Sequence, residues 1–391
     1  MNSNTKSIIF SISQRNILIL FILLFSLNGS SQSTFEIYQK YFKLGDYDNA
    51  KKEIETAITL PAYSNSSKAW YYRSEVNSVL YSKNPDDNSS NLEVAYMSLM
   101  KSSSLDSKKE LSKEIAAQIK LLSTLYYSKG AADYNNKKYN YAIISLERAA
   151  DIGNLLNPSV TEPDIYFYIG MAAALSNNKT KLKKYFSQLA EQNYPKAEVY
   201  NYLGEFHKAE NNNSEAIATY KKGIQIATEN SSFLYVKIVK LYLNIGFTKE
   251  AVEYLNKGLQ KYPSNEDLNY IKASLNTQLK EDNMAMDGYK KTVELNPNHL
   301  EANYNLGIMY YNSSINHLKA ADSFLYTNKE KYDSEKELFL TEIKLSAPFL
   351  EKAHQLDRSN RNTTMCLLDV YKRLQRKELY EALKTELDNM K

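Results

Sequence analysis

Small residues recur along this chain at a spacing that only a helix brings onto one face. Ala216, Tyr220 and Gly223 are followed by Ala251, Leu255 and Gly258, then by Ala285, Tyr289 and Thr292. Each set is a small residue, a large one four later and a small one three after that, which is one stripe of an α-helix. Looser copies are Ala50, Ile54, Ala57; Ala95, Leu99, Ser102; Ala142, Leu146, Ala149; and Leu182, Phe186, Leu189. The steps from Leu182 to Ala216, Ala251 and Ala285 are 34, 35 and 34 residues. A second helical pattern precedes these sets, as in Tyr166, Ile169, Gly170 and Tyr200, Leu203, Gly204. Turn residues such as Leu44 to Asp48 and Ile245 to Phe247 lie between the two helices. Pro61, Pro195, Pro263 and Pro297 follow the second helix, where a helix interior cannot continue. Two helices per period of this length predict a stacked array in place of a globular domain.

These residues resemble the tetratricopeptide repeat, whose pattern is W-x2-L-G-x2-Y, then A-x3-F, then P. Trp70, the only tryptophan, takes the first aromatic place of the second copy. The resemblance implies an all-α fold: an α-solenoid wound as a right-handed superhelix of about eight repeats, closed by a C-terminal capping helix pair. The boundaries read as a leader over 1–31, then repeats over 32–66, 67–106, 107–162, 163–196, 197–231, 232–265, 266–298 and 299–360, with a degenerate capping repeat over 361–391. The second repeat carries a polar turn insertion, 82–90, and the third an extended first helix.

The eighth repeat departs most. Its step from Ala285 to Ser346 is 61 residues, 27 beyond one period, which predicts a helical-hairpin insertion over 313–345. Thr327 to Glu337, mostly charged and polar, reads as the connection between its two arms. Pro348 is expected to kink the returning helix or to mark where its packed half begins. Of 11 glycines, eight fall in the repeat register, leaving Gly29, Gly153 and Gly288. Glycine in a helix interior costs roughly 0.5–1 kcal/mol, so glycines in register imply close helix packing.

Composition narrows the function. The 391 residues carry 49 Lys or Arg against 45 Asp or Glu, a net charge of +4. Without Lys6 and Arg15 this falls to +2, too little to draw in nucleic acid. A single cysteine, Cys366, excludes a disulfide framework and a cysteine zinc site. Lys6 and Arg15 precede an apolar run, Ile17 to Leu27, and a small, polar exit, Asn28 to Ser33. This is the layout of a Sec-type signal peptide, too short to span a bilayer, with no cysteine at its exit to carry a lipid. Together with the repeats it resembles exported tetratricopeptide-repeat proteins of Gram-negative bacteria, which implies the periplasm or cell envelope and membrane contact only through the leader. No HExxH, GxSxG, GxxxxGK[ST] or GxGxxG occurs, and the four histidines are scattered. No enzyme activity, metal or cofactor is therefore expected.

In the resembled family the first helices line the concave side, where extended peptides or partner helices lie. Residues just after the first aromatic, and four and seven further on, face that side. The candidate partner-binding residues are Tyr127 and Tyr134 of the third repeat and Phe167 and Met171 of the fourth. Asn201, Glu205 and Lys208 follow in the fifth, Lys240 in the sixth and Tyr270 in the seventh, with Tyr304, Tyr311 and Asn312 in the eighth. No copy places Lys and then Asn four later, so the carboxylate clamp of chaperone-docking members is missing. The expected function is a non-enzymatic scaffold that binds a protein or peptide. Tyrosine platforms also suit sugars, which makes a glycan receptor the alternative.

Overall fold

The computed structural model describes residues 35–86, 89–156 and 163–390. The leader over 1–31, the middle of the 82–90 insertion and the tail of the third repeat lie outside the described residues. The chain forms two compact units, Met1–Tyr194 and Pro195–Lys391. No strand occurs among the described residues, and the fold is all-α.

In the first unit a helix over 35–43 (α1) is followed by α2 (Tyr47–Ala57), the short α3 (Pro61–Ser64), α4 (Ser67–Lys83) and α5 (Ser89–Leu105). Then come α6 (Ser112–Asn135), α7 (Tyr139–Asn154), α8 (Pro163–Leu175) and α9 (Lys179–Glu191). The second unit contains α10 (Ala197–Ala209), α11 (Asn213–Ile226), α12 (Ser232–Asn244), α13 (Thr248–Lys261), α14 (Glu266–Gln278) and α15 (Asp282–Leu295). It closes with α16 (Leu300–Phe324), α17 (Lys329–Leu356), α18 (Arg361–Arg373) and α19 (Lys377–Asn389). Within each unit every hairpin packs on the next hairpin in the chain, the stacking of an α-solenoid.

The small-residue register explains the hairpins. A Cβ on Gly204 of α10 would lie 2.2 Å from the Tyr220 ring of α11, and one on Gly170 of α8 would lie 2.3 Å from the Phe186 ring of α9. The missing side chain lets the two helices of one hairpin close around a large residue sixteen further on. Gly307 does the same to Leu350, across the lengthened eighth hairpin. Ala50, Ala142, Ala216, Ala251 and Ala285 are fully buried. Gly288, outside the expected register, is accounted for as well: its Cβ would meet that of Ala273 at 2.8 Å.

The turns repeat as faithfully as the helices. Gly45, Lys137, Asn177, Asn211, Gly246, Lys280 and Gln375 all have positive φ, and each follows the first helix of a hairpin. At each, the next amide reaches back to the helix, as Asn212 N–H does to His207 O at 2.8 Å and Phe247 N–H to Tyr242 O at 2.9 Å. This is a Schellman closure, which satisfies the carbonyls that a helix end leaves unpaired.

The insertions lengthen helices more than loops. α4 continues to Lys83 and α5 resumes at Ser89, so the polar stretch expected over 82–90 is partly helical. In the eighth hairpin the connection is only 325–328, and Lys329–Glu337 belongs to α17. Asn328 accepts from Lys331 N–H at 3.0 Å and starts the helix there. Charge alone does not exclude a helix whose outer face is solvated. Pro348 stays within α17, between the buried Ala347 and Leu350.

Candidate functional site

In the first unit α6 carries Tyr127, Ala131 and Tyr134 at intervals of four and three, one face of the helix. α7 and α8 supply the remaining walls. The rings of Tyr134 and Tyr168 stand edge to face with centroids 6.1 Å apart, and the Tyr139 ring lies 5.5 Å from that of Tyr134. A cavity of about 170 Å³ opens among Tyr127, Ala131, Tyr134, Asn135, Leu146 and Tyr168. Beyond Tyr127 a larger one, about 400 Å³, runs between α6, α7 and α8 past Lys120, Ser123, Thr124, Gly153, Asn154 and Ile165. Tyr127 is common to both, so they form two lobes of one groove.

The polar chemistry of the larger lobe is already oriented. The Ser123 hydroxyl donates to Ala149 O at 2.9 Å and that of Thr124 to Lys120 O at 3.0 Å, so both oxygens keep only acceptor capacity. Among the described residues lining the two lobes, Lys120 supplies the only full charge. Gly153, which fits no repeat position, forms part of the wall, with its Cβ direction 3.5 Å from the Ser123 hydroxyl.

Tyr127 and Tyr134 are thus brought together, and the sequence reading missed their partner Tyr168, 40% exposed and one place after the expected Phe167. Phe167 instead lies tilted against Tyr194 at 5.7 Å, and Met171 is half-buried on the same helix.

The candidates of the second unit have different surroundings. Glu205 accepts the Tyr220 hydroxyl at 2.6 Å and pairs with Lys208 and Lys237, both at 3.3 Å. Burial works to raise its pKa, but the Tyr220 bond and the two ammonium groups outweigh it and hold the carboxyl below its ordinary value. The side-chain oxygen of Asn201 is buried with no hydrogen-bond partner among the described residues. Lys240 lies 3.8 Å from Asp267. The Tyr270 ring sits 4.7 Å from His299 and 5.8 Å from Tyr289, and burial pushes its hydroxyl pKa up.

In the eighth hairpin the expected aromatics are drawn into packing. Tyr304 and Tyr311 lie against the cluster built on Ile343, Leu350, Leu367 and Val370. The Tyr311 hydroxyl donates to Asp369 of α18 at 2.7 Å, and burial with that carboxylate pushes its pKa up to about 12. Asn312 is exposed. In the first unit Phe35 of α1 packs likewise, 4.6 Å from Tyr63 and 5.5 Å from Tyr72, although it was not among the candidates. Among the described residues no group of three His, Cys, Asp or Glu side chains could hold a metal, and no helix is long and apolar enough to cross a membrane.

Hairpins of this register, closed by glycine against a large residue and stacked in chain order, define a helical-repeat scaffold. The tetratricopeptide-repeat family model matches residues 41–62 and 197–230, so the chain contains tetratricopeptide repeats. Among solved structures it is similar to MamA, at 19% identity over 49% of this chain and 89% of that one, with a TM-score of 0.33. A tetratricopeptide-repeat protein from Bacteroides fragilis gives 20% identity over 64% and 98%, with a TM-score of 0.29. YrrB, described as a tetratricopeptide-repeat protein with an unusual peptide-binding site, gives 16% over 56% and 96%, with a TM-score of 0.36. No curated protein matches the chain in sequence.

Proposed function

We propose that this protein is an exported, non-enzymatic scaffold that holds a protein or peptide partner on the faces of its first helices, with the α6–α8 groove as a principal seat. The observation that carries the reading is the pair of lobes around Tyr127. They offer aromatic edges, tyrosine hydroxyls and a mostly apolar floor, the combination that anchors a partner's side chains at small entropic cost. An extended segment crossing α6 places neighbouring side chains into the two lobes while its backbone stays near Ser123 and Thr124, whose oxygens accept from peptide N–H groups. The leader pattern of residues 1–31 supports delivery to the envelope.

The test is photocrosslinking in cells from Tyr134 and Tyr168, with Tyr141 on the outer face of α7, 64% exposed, as the control position. One envelope polypeptide should be captured from the two groove positions and not from Tyr141. Ala131→Arg, which fills the smaller lobe, should abolish that capture with the melting curve unchanged. Capture that is equal at Tyr141, or indifferent to Ala131→Arg, rejects the groove. A mature chain that still begins at Met1 rejects the export.

A further inference from the structure

The larger lobe of the α6–α8 groove is built where the chain leaves the repeat. α8, α10 and α16 each begin seven residues before the glycine that lets the hairpin close, Gly170, Gly204 and Gly307, whereas α6 begins at Ser112, eighteen before Gly130. Lys120 lies in that added stretch, is exposed, and lines the lobe with Ser123 and Thr124. The positions three and four residues from it on α6 are Ala116, Ala117, Ser123 and Thr124, so its own helix offers no carboxylate to answer its charge.

Gly153 of α7 is the second departure. At every other helical glycine among the described residues, from Gly130 to Gly307, a Cβ would come within 2.9 Å of a neighbour, so packing requires the missing side chain. At Gly153 the nearest atom is the Ser123 hydroxyl oxygen at 3.5 Å, an ordinary contact, and its φ is not positive. Neither packing nor a turn calls for glycine there, although glycine weakens a helix relative to alanine. What it leaves is bare helix in the wall of the lobe, where another backbone can approach closely.

We propose that the partner segment is acidic at one end and aromatic at the other, an assignment that rests on the groove being the partner's seat. Its backbone lies over Ser123 and Gly153, an Asp or Glu side chain pairs with Lys120, and an aromatic side chain enters the smaller lobe at Ala131. The hydroxyls favour a peptide over a free anion: those of Ser123 and Thr124 have only acceptor capacity, which suits N–H groups and repels a phosphate. Helix geometry sets the spacing. Lys120 and Ala131 are eleven residues apart on α6, about 16.5 Å, which about five residues of extended chain span.

The experiment is selection of random dodecapeptides by phage display on the full chain and on three variants. The parent should enrich peptides with Asp or Glu about five residues from Phe, Tyr or Trp, and a synthetic copy of one should bind Lys120→Gln roughly fivefold more weakly. Lys120→Glu should enrich Lys or Arg at the same place with the aromatic residue kept. Gly153→Leu should lose these peptides with a melting temperature no lower than the parent's. Peptides that are lost on Ala131→Arg, yet carry no acidic residue or keep it against Lys120→Glu, overturn the assignment and leave the groove standing. A Gly153→Leu protein that binds as the parent does also overturns it. Selection of no peptide sensitive to Ala131→Arg overturns the groove and the assignment together.

Discussion

Gly204 leaves no room even for a methyl group. A Cβ there would sit 2.2 Å from Cε1 of Tyr220, a ring that is fully buried and cannot swing aside. Gly204→Ala should therefore destabilise the second unit by about 1–3 kcal/mol through overpacking, read as a lower urea midpoint with helical content retained. The turn residues make the opposite prediction. Lys280 holds φ at +61° where its relatives Gly45 and Gly246 carry no Cβ. A non-glycine residue in this region costs roughly 1–2 kcal/mol, of which glycine's greater freedom in the unfolded chain returns part. Lys280→Gly should raise stability by about 0.5–1 kcal/mol; a lower midpoint would mean that its side chain contributes more than its backbone costs. At this scale the sequence was informative where a glycine was present and silent where Lys, Asn or Gln adopts the same conformation.

Between elements, tyrosine hydroxyls and carboxylates do much of the joining. Tyr38 of α1 donates to Glu75 of α4 at 3.0 Å, and Tyr71 reaches the same carboxylate at 3.3 Å. Burial raises the Glu75 pKa more than these two bonds lower it. The folded state therefore holds a proton that the unfolded chain has released, and the ionised group subtracts from stability once pH rises through its folded pKa. Glu75→Gln keeps an acceptor for the hydroxyls and removes the charge. Its urea midpoint should exceed the parent's at pH 7 and converge with it toward pH 4. A variant less stable at pH 7 would show that the tyrosine bonds need the full charge. The sequence pattern could not show this tie, because it reports direction around a helix and not what the neighbouring helix brings to it. The same limit applies to α17, where a run of charge looked like a loop although its buried face, Phe339 and Ile343, continues the helix.

The 33 tyrosines gain a physical account at the scale of the molecule. Tyr126 donates to Glu93 and Tyr185 to Glu147, both at 2.6 Å, tying consecutive hairpins of the first unit; in the second unit Tyr220 donates to Glu205 within one hairpin, and Tyr311 to Asp369 in the next. Composition could show the abundance of tyrosine but not these ties, whose partners lie anywhere from 15 to 58 residues away. Burial first, and the facing carboxylate second, push these hydroxyls above their ordinary value near 10. Burial alone puts Tyr200 at about 12, and burial with the Glu351 carboxylate puts Tyr371 at about 12. Here the sign is that of a raised pKa. The folded chain keeps protons that the unfolded chain loses near pH 10, so stability is intact below that point and falls steadily above it. An alkaline titration followed by tyrosinate absorbance and helical circular dichroism should show two populations: one ionising with helicity unchanged, and the tied tyrosines only as the helices melt. If all tyrosines ionise together near pH 10 while the helical signal persists, the hydroxyl–carboxylate ties do not hold the repeats, and the small-residue register alone must account for their stacking.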